Sequence, residues 1–517
     1  MIVYDTPSAE TCPPTCESVV GSAKKCFDEL ADFCQASKLP FWKFEKELAV
    51  RLAVLACQLI RLFLTARYHR LDVQPHLQNG KYRMSDKYAE RTINTPHGDV
   101  TYGRQYLQAR KGGKGIFPLD IELGLTWDSL SPWMLQWVTK LATRMSFNSV
   151  RKVCQAAFGW APATETIEQA ALGVGRDAAA FMEQAKVASK DSPDGDVLVI
   201  EVDGKCPPIA TEEELSKRRG KRKPKHEKEC QCGCQRHRGT AKRQARGSKK
   251  RRKRGDKSKN GKEVTVVVMY TLKKGDDGKL HGPINKKVYA TFAGRKAAAL
   301  WARAAATRRG FGPETTNTVQ IVLDGAESLK ANFLTQFPEA IFTLDVCHVV
   351  ERLWKLGRHF HPEGSAELTA FVEELKEFVY AGEAETLVAH LRKLHSEVSP
   401  RGPGTKGRRE ALAEQIGYLE KRYDMMRYSE WRKQDLVIGS GQAEGAVRQL
   451  VGERFDCSGM RWIKGKAEPV LHLRCIELNN DWEMFASWLH RRNHDRLRKV
   501  GQHRVLTDQP MTLANAA

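Results

Sequence analysis

Two aspartates in this sequence stand where carboxylates could bind a divalent metal ion. Asp203 ends the apolar stretch VLVIEVD, Asp324 ends the stretch TVQIVLD, and a glycine follows each of them. If the two stretches are neighbouring parallel strands, both carboxylates meet at one edge of a sheet. Magnesium prefers carboxylate oxygen, and paired divalent ions promote phosphodiester cleavage and joining. An Asp-Gly pair after a strand is also an ordinary turn, so the prediction depends on the two strand ends together.

Other acidic residues and a histidine are predicted to lie near this edge of the sheet, where they could contact a metal ion or a phosphate. Glu444 lies in GSGQAEGAVRQ, where we predict a helix that starts near Ser440 and offers backbone N–H groups to a phosphate. An exposed surface glutamate is the alternative. Asp345 and His348 follow another predicted strand, so Asp345 could lie beside the edge and His348 could contact a phosphate or orient a ligand. A buried, hydrogen-bonded histidine is the alternative there.

The order of predicted elements describes the frame that must position these residues. Three strands (residues 196–203, 263–274 and 286–294) precede alternating helices and strands that end near Asp345. Three antiparallel strands followed by such alternation is the order of an RNase H-like sheet, although other α+β folds share pieces of it. We predict an α+β multidomain fold: an RNase H-like mixed sheet flanked by helices, an all-α insertion and a mainly helical N-terminal DNA-binding region.

Periodicity and composition divide the 517 residues further. Ser146 should cap a helix that Gly159 ends, and a second helix should begin near Thr164, which together predict a helix-turn-helix. The predicted segments are a helical region (1–89), a small β segment (90–122), the helix-turn-helix domain (123–192), a first core part (193–350), a helical insertion (351–435), a second core part (436–490) and a polar tail (491–517).

The net charge of +23 is concentrated in one segment, residues 217–262, which we call the basic arm. The arm contains 22 Lys and Arg residues against three acidic residues, so the rest of the chain is nearly neutral. Such charge predicts strong, salt-sensitive binding to DNA phosphates. A solubilising loop, or a binder of RNA or another polyanion, is the alternative. The predicted phosphate contacts are Lys249, Lys250, Arg251, Arg252, Lys253 and Arg254.

The basic arm also contains a small group of potential zinc ligands. Cys230, Cys232 and Cys234 alternate along the chain and His237 follows them. Cysteine and histidine are the usual ligands of structural zinc, but the Cys-x-Cys-x-Cys spacing is tighter than the common pattern. Zn²⁺ is therefore a possible second cofactor beside Mg²⁺ or Mn²⁺, and the site would lie within the arm.

Several motifs resemble those of bacterial insertion-sequence transposases of the Kra type, which are Asp-Asp-Glu enzymes related to Mutator-like transposases. The stretch 439–485 contains Gly-Ser-Gly, Glu444, then Ser-Gly-Met-Arg-Trp at 458–462 and Leu-Arg at 473–474. LDVCHVVERLW at 344–354 is similar to the family's Leu-Asp, two residues, His segment. PLDIELGLTWDSLSPWMLQWVTKLATRMSF at 118–147 is similar to its N-terminal region, but the Cys-x-x-Cys ribbon that many relatives carry before it is absent.

The resemblance implies an RNase H-like fold in which Asp203, Asp324 and Glu444 form the catalytic triad and bind Mg²⁺ or Mn²⁺. The implied reaction is hydrolysis at the transposon ends, followed by attack of the freed 3′-hydroxyl on target DNA. Arg461 would pair with a phosphate and Trp462 would stack on DNA. Joining two ends implies a homodimer or a larger assembly on double-stranded DNA.

Two other functions fit part of the sequence. An inactive or domesticated relative would bind DNA without cutting it, and an RNase H-like nuclease would cut without joining. The N-terminus lacks the basic start and apolar block of a signal peptide, and the sequence has no uninterrupted run of 18 apolar residues. We therefore expect a bacterial, cytoplasmic, nucleoid-associated protein with no membrane partner.

Overall fold

The computed structural model divides the chain into two compact units. One comprises Met1–Asp177 with Asp481–Ala517, and the other comprises Ala178–Asn480. The structure describes residues 14–78, 80–110, 115–126, 128–185, 192–213, 262–457 and 462–502. Some predicted sites lie outside these residues: the zinc group Cys230, Cys232, Cys234 and His237, the phosphate contacts Lys249, Lys250, Arg251, Arg252, Lys253 and Arg254, and Arg461.

The first unit combines helices with a two-stranded antiparallel sheet. Its elements are α1 (Cys16–Ala36), α2 (Phe41–His69), α3 (Gln74–Gln78), β1 (Tyr82–Thr95), β2 (Gly98–Ala109), α4 (Pro118–Leu123), α5 (Pro132–Arg144), α6 (Phe147–Phe158), α7 (Thr164–Gln184) and α18 (Trp482–Gln502). The boundary between the units falls within α7, after Asp177.

The predicted helix pair near residue 146 is confirmed as secondary structure. The Ser146 side chain caps α6 by accepting a hydrogen bond from the backbone N–H of Ser149, at 3.2 Å. Gly159 ends α6 with a positive φ of 74°, and α7 begins at Thr164. Val150 on α6, Ala171 on α7 and other small apolar side chains of these helices are buried. Contact of this pair with DNA stays a prediction.

The segment predicted as a polar tail (491–517) begins within a helix, and its residues 503–517 lie outside the described residues. Helix α18 continues to Gln502 and, from Asp481 onward, the chain belongs to the first unit. The helix packs through apolar side chains, among them Phe485 and Leu497, and Arg496 forms a bidentate ion pair with Asp177 at 2.5 and 2.8 Å. An amphipathic sequence with tertiary partners does not fray as an isolated polar tail would.

One helix among the described residues, α2, is long and apolar enough to cross a membrane by length and composition alone. Its most apolar 18-residue window has a mean hydropathy of 1.8, and 11% of that window is buried. Core helices of soluble proteins and signal sequences satisfy the same criterion, so this is weak evidence for a membrane span.

The second unit is a mixed sheet flanked by helices. Its elements are β3 (Val197–Lys205), β4 (Val264–Lys274), β5 (Leu280–Thr291), α8 (Arg295–Arg308), β6 (Thr318–Leu323), α9 (Glu327–Gln336), β7 (Ile341–Leu344), α10 (Val346–Gly357), α11 (Ala366–Ala381), α12 (Ala384–Glu397), α13 (Thr405–Glu420), a 3-10 turn (Tyr423–Met425), α14 (Tyr428–Lys433), α15 (Gly441–Val447), a π-helical segment (Arg448–Gly452), α16 (Glu453–Phe455) and α17 (Lys464–Leu478).

The strand order of this sheet is β5-β4-β3-β6-β7. Strands β5, β4 and β3 pair antiparallel, whereas β3, β6 and β7 pair parallel. The centre of the sheet is almost continuously apolar, because helices cover it and water is excluded. The predicted sequence of three antiparallel strands followed by alternating helices and strands is therefore confirmed, and β3 and β6 are the neighbouring parallel strands on which the metal-site prediction depended.

The beginning of β4 lies beside the end of β3. Lys205, the last residue of β3, pairs with Val264, the first residue of β4. The basic arm falls between these two positions in the sequence, and both positions lie at the end of the sheet that carries Asp203.

Candidate active site

Three aspartates follow one another across the carboxyl ends of three parallel strands. Val202 on β3 is in register with Leu323 on β6, and Leu323 is in register with Leu344 on β7. The next residue of each strand is an aspartate: Asp203, Asp324 and Asp345. Neighbouring strands are about 4.8 Å apart, so the pairing brings the backbones of all three aspartates to the same edge of the sheet.

The first two aspartates are half-buried, and each carboxylate accepts a local backbone hydrogen bond. Asp203 Oδ1 accepts from the N–H of Gly204 at 2.5 Å, and Asp324 Oδ1 accepts from the N–H of Ala326 at 2.9 Å. Burial raises the pKa of Asp203 above its usual value, and the negative charges of Asp324 and Glu444 add to this rise. Asp203 therefore lies within electrostatic reach of both other members of the predicted triad, and a bound cation would relieve their repulsion.

The third aspartate is fully buried and its carboxylate is surrounded by hydrogen-bond donors. Asp345 accepts from Ser440 Oγ (2.6 Å), from the backbone N–H of Ser440 (3.3 Å) and of Cys347 (3.0 Å), and from His348 Nδ1 (2.6 Å). Burial alone raises the pKa of Asp345, but these hydrogen bonds outweigh it and hold the pKa below its usual value. Asp345 thus anchors both His348 and Ser440, the residue that precedes α15.

His348 lies on the first turn of α10, oriented by Asp345. The hydrogen bond to Asp345 raises the pKa of His348 to about 9, and the charges of Asp203 and Asp324 contribute to the rise against an opposing effect of burial. The imidazole is consequently protonated at neutral pH in the metal-free protein. Because Nδ1 is hydrogen-bonded to Asp345, Nε2 is the ring nitrogen that is available to contact a ligand at this edge of the sheet.

Glu444 is exposed on the short helix α15, with its backbone N–H donating to the carbonyl of Ser440 at 3.0 Å. One ligand atom from each of Glu444, Asp345 and His348 lies within 4.8 Å of the other two, so this group could hold a metal ion. Asp345 already accepts hydrogen bonds at both carboxylate oxygens, so Glu444 is the most available metal ligand of this group. His348 would bind a metal ion through Nε2 only after losing the proton on that nitrogen. This group shares Glu444 with the predicted triad but does not include Asp203 or Asp324, which are connected to Glu444 only through the electrostatic effect on Asp203. Binding of one ion by Asp203, Asp324 and Glu444 together stays a prediction.

A buried glutamate on β3, Glu201, lies beside this site. It is 1% exposed, and its two carboxylate oxygens have different partners: Tyr270 Oη donates to Oε1 at 2.7 Å, and the backbone N–H of Ala443 donates to Oε2 at 2.8 Å. Burial raises the pKa of Glu201, against the opposing effect of these hydrogen bonds. The residue was not among the predicted site residues, although a charged residue inside an otherwise apolar strand was a visible signal.

The turn after β6 is held by two residues of the helical region. Tyr418 Oη donates to the carbonyl of Asp324 at 3.0 Å, and Arg422 Nε donates to the carbonyl of Gly325 at 2.9 Å. Gly325 has a φ of +81°, a conformation that side chains with a Cβ rarely adopt. These contacts fix the backbone at Asp324 from residues about a hundred positions later in the sequence.

The helix that begins with α15 contains a π-helical segment after Glu444. Such segments leave backbone carbonyls without their usual helical partners, and here the buried Arg474 supplies donors to the carbonyls of Gln449 and Leu450. Arg474 belongs to the Leu-Arg motif noted in the sequence. The structure therefore gives this motif a supporting role behind the site.

Trp462, which was predicted to stack on DNA, is largely buried in this structure, and its contact with DNA stays a prediction. Trp462 is 7% exposed, its ring lies 5.1 Å from that of Phe455, and the guanidinium of Arg454 lies 4.5 Å from its centroid. Burial and the neighbouring Arg474 lower the pKa of Arg454 to about 10. The indole fills the core behind the site, because an apolar ring gains more from this packing than from exposure.

Comparison with known proteins gives one partial match. The model of an uncharacterised protein family (UPF0236) matches residues 41–229. This stretch is similar to that family and contains Asp203, whereas Asp324, Asp345, His348 and Glu444 lie beyond it. A search of curated proteins found no match.

Proposed function

We propose that this protein is an Asp-Asp-Glu DNA transposase with an RNase H-like core, which cuts at transposon ends and joins the 3′-hydroxyl ends to target DNA. The observation that carries the proposal is the in-register row of aspartates at one sheet edge, with Glu444 on a helix beside it. The resemblance of residues 439–485 to insertion-sequence transposases supports the same function.

Asp203, Asp324 and Glu444 suit Mg²⁺ or Mn²⁺, because hard cations prefer oxygen ligands and the three carboxylates interact electrostatically. Bound divalent ions would neutralise the charge that develops on the attacking and leaving oxygens. The ends of β3 and β6 hold the carboxylates of Asp203 and Asp324, and helix α15 carries that of Glu444. His348, held by Asp345 through Nδ1, would donate from Nε2 to a non-bridging phosphate oxygen.

The test uses the purified full-length protein and linear DNA that contains the sequences flanking its gene on both sides, together with a supercoiled target plasmid. With Mg²⁺ or Mn²⁺ we expect cleavage at the element ends and joined products, both lost on chelation with EDTA. Hydrolysis without joined product would overturn the transposase proposal in favour of a nuclease. Binding without any metal-dependent product would favour an inactive relative.

The proposed partner is double-stranded DNA rather than a membrane, and the proposed location is the bacterial nucleoid in the cytoplasm. Because transposition joins two ends, we also propose that the active form is a homodimer or a larger assembly on DNA. Zinc binding by Cys230, Cys232, Cys234 and His237 remains a separate proposal that metal analysis of the purified protein would test.

The basic arm should set the salt dependence of DNA binding. Replacing residues 217–262 with a neutral Gly/Ser linker of equal length should reduce the slope of log K against log salt by roughly 0.9 for each phosphate contact that is lost. Fluorescence anisotropy with a duplex at several salt concentrations measures this slope. The matched control replaces each arm arginine with lysine, which keeps the charge and should keep the slope. An unchanged slope with the neutral linker would show that the arm does not bind phosphates.

A further inference from the structure

Glu201 holds the helix that carries Glu444 at a defined place on the sheet. Glu201 and Asp203 are two residues apart on β3, so their side chains emerge on the same face of the strand. Glu201 Oε2 accepts from the backbone N–H of Ala443, the residue immediately before Glu444. One buried carboxylate thus connects the strand that bears Asp203 to the first turn of α15.

The capping of α15 explains why this connection is needed. A helix N-terminus leaves backbone N–H groups without partners, and the side chain of the preceding residue usually satisfies one of them. Ser440 occupies that position but makes no side-chain cap, because its hydroxyl donates to Asp345. Glu201, from a distant strand, supplies the acceptor instead. The start of α15 is therefore held by Asp345, which directly follows β7, and by Glu201 on β3.

Burying Glu201 is unfavourable in itself, which argues for a role beyond packing. A carboxylate removed from water loses solvation that its hydrogen bonds must offset. An apolar side chain would fill the same volume at lower cost, but it would leave the N–H of Ala443 without this acceptor. Its second oxygen is fixed by Tyr270 on β4, so the carboxylate has little freedom to rotate.

We propose that Glu201 is a positioning residue that sets the distance between Glu444 and the Asp203–Asp324 pair, and so tunes divalent-metal binding at the site. Glu201 acts through α15 and does not itself touch metal or substrate. The inference rests on the proposed metal-dependent function, and it goes beyond that function by assigning the geometry of Glu444 to a residue outside the catalytic triad.

The experiment compares Glu201→Met, which keeps volume but removes the acceptor, with Glu201→Gln, which keeps an oxygen for Ala443. Mn²⁺ affinity of the full-length protein without DNA is measured by electron paramagnetic resonance, and hydrogen exchange is followed in residues 441–447. For Glu201→Met we expect Mn²⁺ binding to weaken by about 10- to 100-fold, the usual effect of losing a supporting partner, and exchange to accelerate. In Glu201→Gln, the Mn²⁺ affinity and the exchange rate should stay within about threefold of those of the unmodified protein, because the amide oxygen replaces the lost acceptor.

Glu468→Met is the matched control. Glu468 also attaches a helix to this sheet, through the backbone N–H of Phe292 and the hydroxyl of Thr291, but at β5. The Glu468→Met substitution should alter the free energy of unfolding without altering the Mn²⁺ affinity. If the unmodified protein binds Mn²⁺ but Glu201→Met leaves either hydrogen exchange in residues 441–447 or Mn²⁺ affinity unchanged, the role of Glu201 is overturned. The proposed function is then unaffected. No Mn²⁺ binding and no DNA product from the unmodified protein would instead overturn the proposed function, and with it the assigned role.

Discussion

Replacing Asp203 with asparagine should lower the rate of DNA cleavage and joining by about three orders of magnitude while DNA binding persists. Asparagine keeps the shape of the side chain and an oxygen that can accept from the N–H of Gly204. It removes one negative charge from the three carboxylates, Asp203, Asp324 and Glu444, that we propose to bind the cation together. The loss should therefore fall on catalysis and metal binding rather than on folding.

Single-turnover rates with end-containing DNA, measured at saturating protein and several Mg²⁺ concentrations, provide the test. Asp276→Asn is the matched control, since Asp276 is an exposed aspartate between β4 and β5 and should retain the full rate. If Asp203→Asn cleaved and joined DNA at the unmodified rate, the assignment of the triad would be wrong. Duplex binding by both variants, followed by anisotropy, separates a catalytic defect from misfolding.

Gly325→Ala should destabilise the second unit by about 3 kcal/mol, because two unfavourable effects add. At a φ of +81° any residue with a Cβ is strained. The new Cβ would also lie 2.6 Å from Leu344 Cδ1, 2.7 Å from Tyr418 Oη and 2.8 Å from Arg422 Nε. Those neighbours hold the turn that presents Asp324, so the same substitution should also weaken metal binding.

Gly310→Ala isolates the backbone part of this effect. Gly310 has a φ of +84°, and a Cβ at this position would meet no atom of the described residues within 4 Å. Its substitution should therefore cost only about 1–2 kcal/mol. Urea unfolding monitored by circular dichroism compares the two variants. Equal losses of stability would mean that the close approach of Leu344, Tyr418 and Arg422 to Gly325 has no energetic consequence.

Local sequence was sufficient for the strands and for the two strand-end aspartates. Apolar runs such as VLVIEVD and TVQIVLD predict buried strands. The parallel pairing of β3 with β6 was a condition of the prediction, and the structure shows it. Asp345 was recognised as a supporting residue after a strand. Its register with Asp203 and Asp324 depends on the pairing of β6 with β7, which no local pattern specifies.

Other features of the site arise from contacts between distant parts of the chain. Arg422 reaches Gly325 across 97 residues, and Ala443 reaches Glu201 across 242 residues. A helical pattern alone does not reveal such partners. The burial of Trp462 was not predicted for a related reason, because a tryptophan beside an arginine has the same local sequence in a core as at a DNA surface. Burial depends on the tertiary contacts with Phe455 and Arg454.

The pairing of Lys205 with Val264 has a consequence for substrate capture. Lys205 precedes the basic arm in the sequence and Val264 follows it, and both lie at the strand end that carries Asp203. A tether raises the effective concentration of whatever it holds near its anchor. If the arm binds DNA phosphates as predicted, it would therefore raise the local concentration of that DNA near the edge of the sheet that carries Asp203, without a separate recognition element.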